Sequence, residues 1–423
     1  MIWQGVLGIF VFLGVAWLFS ENRSGVKKRD IALGLGLQIG LAIIITQFPL
    51  IRNAFESLSK GVEVLKHSTQ VGTQFVFGYL GGGAVPFAVL PDSGAGTFIF
   101  ALQALPTIMV VSALSMLLFH WVILPAVVRV FSKALQRTLR IGGALGVVAA
   151  SKVFLGNLEA PLLVRPYLKN FSRCELFTVM TCGMATTAAS VMALYTSILE
   201  GTISNPIAHI LTASIISIPA AITLSRILIP HEGEMTSGSL VAPYRFSNWM
   251  DAISRGTSDG LTIFLHVMAM LIVVLALVSL LNALLAILPN LGGEAITMQR
   301  ILGYVMAPVT WLMGIPWAEA PIAGKLLGTK TVLNEVVAFL ELSKIPRSEL
   351  SAHSALIMTY ALCGFANFSA IGIIIGGIGS MVPERRDEIV ALGIKSVFAG
   401  TLATCMSGTI IGILTHLSGE ILK

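Results

Sequence analysis

Two carboxylates sit in almost wholly apolar sequence: Glu159 in "LGNLEAPLL" and Glu319 in "GIPWAEAPIAG", each two residues before a proline. An ionisable side chain at bilayer depth costs at least about 2.5 kcal/mol, so such groups face a partner, a water-filled cavity or a substrate. A second phrase follows each in the same order, "CGMATTAAS" from Cys182 and "CGFANFSAI" from Cys363. This reads as an internal repeat, and interrupted hydrophobic segments at corresponding places in two halves point to a secondary transporter. Proline and glycine at the tips free backbone groups that, with half-helix dipole ends, can hold a polar solute or a cation. Glu159 and Glu335 serve either as hydrogen-bond partners of a polar substrate or as members of buried ion pairs and helix caps. Asn367 both donates and accepts, which suits a hydroxyl-rich ligand and equally a backbone break. Phe365 offers a ring for stacking or an apolar surface for packing. Lys152, about two helical turns before Glu159, either pairs with a carboxylate or places its ammonium in a cation site. His266 could titrate near neutral pH or simply hydrogen-bond at a helix contact.

These groups need a membrane around them. Hydrophobic residues make up 55% of the 423, charged residues 11%, and mean hydropathy is +0.87. Such a balance excludes an ordinary soluble protein and marks an all-α polytopic membrane protein. Four cysteines, Cys174, Cys182, Cys363 and Cys405, stand in apolar context and read as packing residues rather than disulfides or metal ligands. An intramembrane acid/base enzyme built on Glu159 or His266 lacks support, because no nucleophile and base or metal cluster shows recognisable spacing. Gly81 to Gly83 has no basic residue nearby and no strand before it, so it reads as an external loop rather than a phosphate cradle. No nucleic-acid partner is expected.

The spans follow from apolar runs of roughly 20 residues. Ile2 to Phe19 reads as a retained first span, and Arg23, Lys27, Lys28 and Arg29 behind it mark the cytoplasm, leaving both termini outside. Ile31 to Leu50 is a second span, Ile51 to Lys66 an amphipathic surface helix, and Phe98 to Leu118 a third span ending at the basic residues Arg129, Lys133, Arg137 and Arg140. Ile141 to Leu168 has basic residues at both ends, so it enters the membrane and turns back, sheltered by protein or a water-filled cavity. Glu175 to Leu199 and Ile203 to Leu224 are the fourth and fifth spans. A polar loop then runs to Asp259, and Gly260 to Leu288 is the sixth. Ile301 to Leu340, broken by Pro308, Pro316 and Pro321, is a second hairpin from the opposite side. Ala352 to Met381 and Ile389 to Leu417 complete eight spans. Two re-entrant hairpins of opposite entry make an inverted repeat, which lets one site face either side in turn.

Three motifs in order, "LGNLEAPLLVRPYL", "GIPWAEAPIAGKLLGTKTVLNEVVAF" and "ALCGFANFSAIGI", together with "VGTQFVFGYL" at Val71 to Leu80, resemble the concentrative nucleoside transporters over nearly the whole chain. The resemblance implies an elevator-type homotrimer in the cell inner membrane. Residues 1–131 would be scaffold, 132–228 the first transport repeat, 229–290 a loop and scaffold span, and 291–423 the second transport repeat. It implies base contacts at Gly156, Asn157, Leu158 and Glu159, ribose contacts at Glu335 and Asn367, and apolar contacts at Val191, Leu265 and Phe365. Glu319 would then be structural.

Three departures from the family pattern matter. Asn157-Leu158 replaces a glutamine and a hydroxyl residue, so base recognition is altered. Ala370 replaces a ribose-contacting serine. Lys152 replaces an asparagine of the cation site, whose other members match Leu155, Thr186 and Thr187. An ammonium there repels sodium at short range in low dielectric. The expected coupling cation is therefore the proton rather than sodium. The lost contacts also keep a second reading open, a membrane gate or assembly subunit of the same fold that carries no nucleoside.

Overall fold

The computed structural model describes residues 2–87, 98–157, 159–238, 246–290 and 295–418, and among them every regular element is helical. Helices α1 (Ile2–Leu18) and α2 (Lys28–Gln47) open the chain. The amphipathic α3 (Pro49–Phe77) starts at a proline, whose missing N–H costs nothing in a first turn, and runs on past Lys66 to stop at Gly78 with φ 61°. The short α4 (Phe100–Gln103) and α5 (Thr107–His120) fill the expected third span. Val122, at φ 64°, then turns the chain sharply into α6 (Ile123–Leu139), so the basic stretch expected only as a cytoplasmic marker is itself a helix.

Next come α7 (Gly143–Ser151), α8 (Glu159–Leu162), α9 (Arg173–Ala185), α10 (Ala189–Leu199) and α11 (Pro206–Leu228). Helix α12 (Trp249–Leu285) begins well before the expected Gly260. Its polar first turns are helical because Asn248 caps them, accepting from Asp251 N at 2.9 Å, and an acidic residue in a first turn favours the helix dipole. The last third holds α13 (Met298–Leu312), α14 (Ala320–Val332), α15 (Glu335–Lys344), α16 (Ala352–Leu362), α17 (Phe368–Met381) and α18 (Arg386–Ser418). Pro308 lies inside α13 without ending it; the chain parts at 313–319 and again at Leu333–Asn334. The break that answers to the expected second tip is therefore Leu333–Asn334, between α14 and α15, and α13 precedes α14 as α6 precedes α7.

Among the described residues, six stretches are long and apolar enough to cross a membrane: Lys28–Gln47, Phe100–His120, Arg173–Leu199, Pro206–Leu228, Trp249–Leu285 and Pro383–Leu417. The apolar α1, α16 and α17 are shorter. Two packing groups stand out. Helices α5 and α12 meet closely at Gly256, where a Cβ would lie 2.6 Å from Ala113 Cα. Helix α1 packs on α18, α11 and α13, and α2 packs chiefly on α11, with smaller contacts to α3, α6 and α18. Gln4 donates to Ile315 O at 2.9 Å, and the buried Gln38 donates to Ser407 Oγ at 3.2 Å. All four cysteines are buried free thiols.

Candidate functional site

The first tip forms where α7 runs out into glycine-containing chain. Lys152 is the C-cap of α7, at the negative end of the helix dipole, where a cation is favoured. It is only 2% exposed, and its ammonium donates to Asn157 Oδ1 at 3.0 Å and to Gly156 O at 3.4 Å. Helix α9 closes over this group through Gly183: a Cβ there would lie 3.0 Å from the ammonium and would collide with Asn157 Oδ1. Glu159 opens α8, and its carboxylate lies over Gly156, whose own missing side chain makes the room. Leu158 falls outside the described residues. Leu155 is buried beside the tip.

At the second tip Asn334 caps α15 by accepting from Val337 N at 3.0 Å, which leaves Glu335 as its first residue. Glu335 is 3% exposed. Tyr195 OH donates to its Oε1 at 2.7 Å, and Asn367 Nδ2 donates to its Oε2 at 2.9 Å. Asn367 in turn caps α17, its Oδ1 accepting from Ala370 N at 2.8 Å and from Ser369 Oγ at 2.7 Å. The carbonyl of the asparagine is thus committed to the helix and one amide hydrogen to the carboxylate, which leaves the second amide hydrogen for a ligand. Ala370 is buried and contributes its backbone to this cap, and Phe365 is half-buried against the core. Val191 lies buried on α10, one turn before Tyr195.

Between the tips, the breaks of α9–α10 and α16–α17 touch. Thr186 Oγ1 donates to Cys182 O at 2.8 Å, Thr187 N donates to Ser214 Oγ at 3.3 Å, and Thr187 Oγ1 lies 3.4 Å from Cys363 Sγ. Gly364 has φ 151°, and a Cβ there would stand 2.8 Å from Met184 O, so only glycine lets the breaks approach this closely.

Among the described residues, two of the candidates read from the sequence take no part in these hydrogen bonds. Leu265 is 47% exposed on α12, and His266 beside it is exposed, its Nδ1 donating to Thr262 O at 2.9 Å within its own helix. Two further buried groups join the candidates. One is Tyr195, which meets Glu335 across 140 positions. The other is Lys330, fully buried in the last turn of α14, whose ammonium donates to Ala361 O at 2.7 Å and Thr404 Oγ1 at 3.0 Å. Lys330 thus stands to the second tip as Lys152 stands to the first, a cation on the helix that enters it.

The two "EAP" phrases occupy different places. Glu159 opens the helix after its tip, whereas Glu319 is the N-cap residue of α14, and its Oε2 accepts from Ser351 N at 3.1 Å and Ser351 Oγ at 2.9 Å. Its role is to join α14 to the start of α16. The position matching Glu159 is Glu335.

Chemically, the cluster offers hydrogen-bonding groups. A carboxylate has about four lone-pair sites, of which Tyr195 and Asn367 use two, so Glu335 can accept from a diol. The other tip presents an amide and a carboxylate beside a fixed ammonium.

Three family profiles match the chain. One, described as the N-terminus of Na+ dependent nucleoside transporters, covers residues 7–80; one described as nucleoside recognition covers 101–202; and the Na+ dependent nucleoside transporter C-terminus covers 209–412. The chain is 35% identical over 420 residues to the nucleoside permease NupC of Helicobacter pylori, covering 98% of each. It is 32% identical to human sodium/nucleoside cotransporter 1, covering 96% of this chain and 63% of that protein. Among solved structures it resembles CNTnw in an inward-facing substrate-bound state, with TM-score 0.88 and 33% identity over 98% of this chain and 99% of that one.

Proposed function

We propose that this chain, which belongs to the Na+ dependent nucleoside transporter family, imports nucleosides or nucleoside-like solutes by cation symport, with the proton rather than sodium as the coupling ion. Glu335 and Asn367 take the ribose hydroxyls, while Gly156, Asn157 and Glu159 read the base. Val191 and Phe365 supply the apolar surface.

The observation that carries the choice of ion is the Lys152 ammonium, held by Asn157 Oδ1 and Gly156 O beneath Gly183. A sodium ion brought next to a buried ammonium meets a like charge in low dielectric, where repulsion is far stronger than in water. The residues of this tip do not fit sodium. Uptake into proteoliposomes under separate sodium and pH gradients tests the reading. A response to the pH gradient alone is expected, and Lys152→Asn should bring sodium stimulation. Strong sodium stimulation of the unaltered protein with no pH effect would sink the proposal.

The helices support eight spans: α1, α2, α4 with α5, α9 with α10, α11, α12, α16 with α17, and α18. On this reading α7–α8 and α14–α15 are re-entrant hairpins entering from opposite sides, α6 and α13 lie along the surface, and the two halves form an inverted repeat. The protein works as an inner-membrane homotrimer with both termini outside. Helices α3, α5 and α12 form the scaffold. Because α1 packs on α18, α11 and α13 and α2 chiefly on α11, we place them with the moving group rather than with the scaffold expected for residues 1–131.

A further inference from the structure

Helix α6 carries a charge pattern that the transport site does not use. Arg129, Lys133 and Arg137 recur every fourth residue, so they share an arc of roughly 80° at 100° per residue, and Arg140 follows at the C-cap. All four are exposed, and among the described residues none has a carboxylate within ion-pair distance. The opposite face is protein-bound, with Leu124, Val128, Leu135 and Leu139 buried. Between the two runs a third strip, containing Ile123 and Val130, is apolar yet 50% and 68% exposed.

One face on protein, one apolar strip open and one row of unpaired cations is the pattern of a helix lying at a membrane interface. There the apolar strip enters the acyl boundary and the cations reach the headgroups. The helix is firmly seated. Trp121, 55% exposed, stands at the sharp turn into it, and Arg226 holds its far end by donating to Leu139 O at 2.8 Å and Arg140 O at 3.0 Å. The fold does not require the charges, since α13, which holds the corresponding place before the second tip, carries a single basic residue, Arg300.

We propose that α6 is a docking surface for anionic phospholipid headgroups, and that lipid seated there steadies the first hairpin. The link is direct: α6 packs on α7, the arm that carries Lys152, with Gly146 against Ser132 Oγ and Gln136. A single leaflet phosphate per basic side chain suffices, and each Lys or Arg near an anionic surface adds to the attraction.

The test uses the full chain, purified in neutral detergent and in vesicles. Phosphatidylglycerol added to the detergent should raise the melting temperature, whereas phosphatidylcholine and free glycerol phosphate should not. Arg129→Gln/Lys133→Gln/Arg137→Gln should lose that rise and keep the stabilisation given by nucleoside. The charge-conserving Arg129→Lys/Lys133→Arg/Arg137→Lys should keep both. In vesicles, uptake should be at least about threefold faster with a quarter phosphatidylglycerol than with phosphatidylcholine alone, and the glutamine variant should lose most of that ratio. An equal response to the two lipids, or a phosphatidylglycerol response that survives in the glutamine variant, overturns the proposal and leaves the stripe as a topology signal only.

Discussion

Glu335 draws its two donors from helices remote in sequence, Tyr195 on α10 and Asn367 at the head of α17. Hydrogen bonds to a charged group are worth about 1.5–3 kcal/mol each, so Glu335→Gln should raise the KM for nucleoside uptake roughly tenfold to a hundredfold. An unchanged KM would place the sugar elsewhere. Tyr195→Phe removes a donor to the same carboxylate without touching its charge and should cost roughly fivefold, near 1 kcal/mol. Lys330→Met leaves Ala361 O and Thr404 Oγ1 without their buried donor. It should lower unfolding stability by about 2–4 kcal/mol, read as a lower melting temperature in detergent.

Among the helices, the contact of α9 with the first tip sets two effects against each other. Alanine in a helix interior is favoured over glycine by about 1 kcal/mol, but at Gly183 its Cβ would collide with Asn157 Oδ1 and crowd the Lys152 ammonium. Gly183→Ala should therefore keep or slightly raise thermal stability while weakening nucleoside binding, as measured by a ligand-dependent shift in melting temperature. Undiminished binding would mean that the tip yields.

The long apolar helices were legible because about 20 apolar residues need a membrane whatever surrounds them. The interruptions were harder to place. Pro308 was expected to break the chain, but α13 accommodates it, and the break falls instead at Leu333–Asn334, where Asn334 caps α15. The "EAP" tripeptide misled in the same way, because a position in a hairpin is set by caps and contacts, not by three letters. Helix α6 was hidden behind its charges, and the start of α12 behind its polar residues. Tyr195 carried no signal, since its partner lies 140 positions away, whereas Lys330 was visible as a charge inside the second interrupted stretch but its partners, 31 and 74 positions away, were not.

For the molecule as a whole, the grouping of helices decides what moves. If α2 travels with α18, a disulfide between Gln38→Cys and Ser407→Cys, whose parent side chains are hydrogen-bonded, should leave uptake intact. Loss of uptake on oxidation would return α2 to the stationary part. The same association is fastened at the loop between α1 and α2. Glu21 accepts from Arg173 at 3.0 Å and Lys395 at 2.6 Å, and the Arg173 hydrogen bond, reinforced by Lys395, holds its carboxyl down at about 2. A carboxyl lowered on folding stabilises above its unfolded value and loses that contribution as pH falls from about 4.5 towards 2. Glu21→Gln should thus lower the melting temperature at neutral pH by the equivalent of about 0.2–1 kcal/mol per exposed pair. The difference from the unaltered protein should shrink through that acidic window.

The bonds that Glu335 makes to Tyr195 and Asn367, with Lys152 held by its own tip, leave both of these buried charges hydrogen-bonded before any cargo arrives. A carrier in that condition keeps these two groups partnered by protein on an empty return journey, so neither of them needs a payload for that journey. Net filling of an initially empty vesicle should then run about as fast as exchange against a preloaded one, which distinguishes a pump that accumulates from an antiporter that only trades.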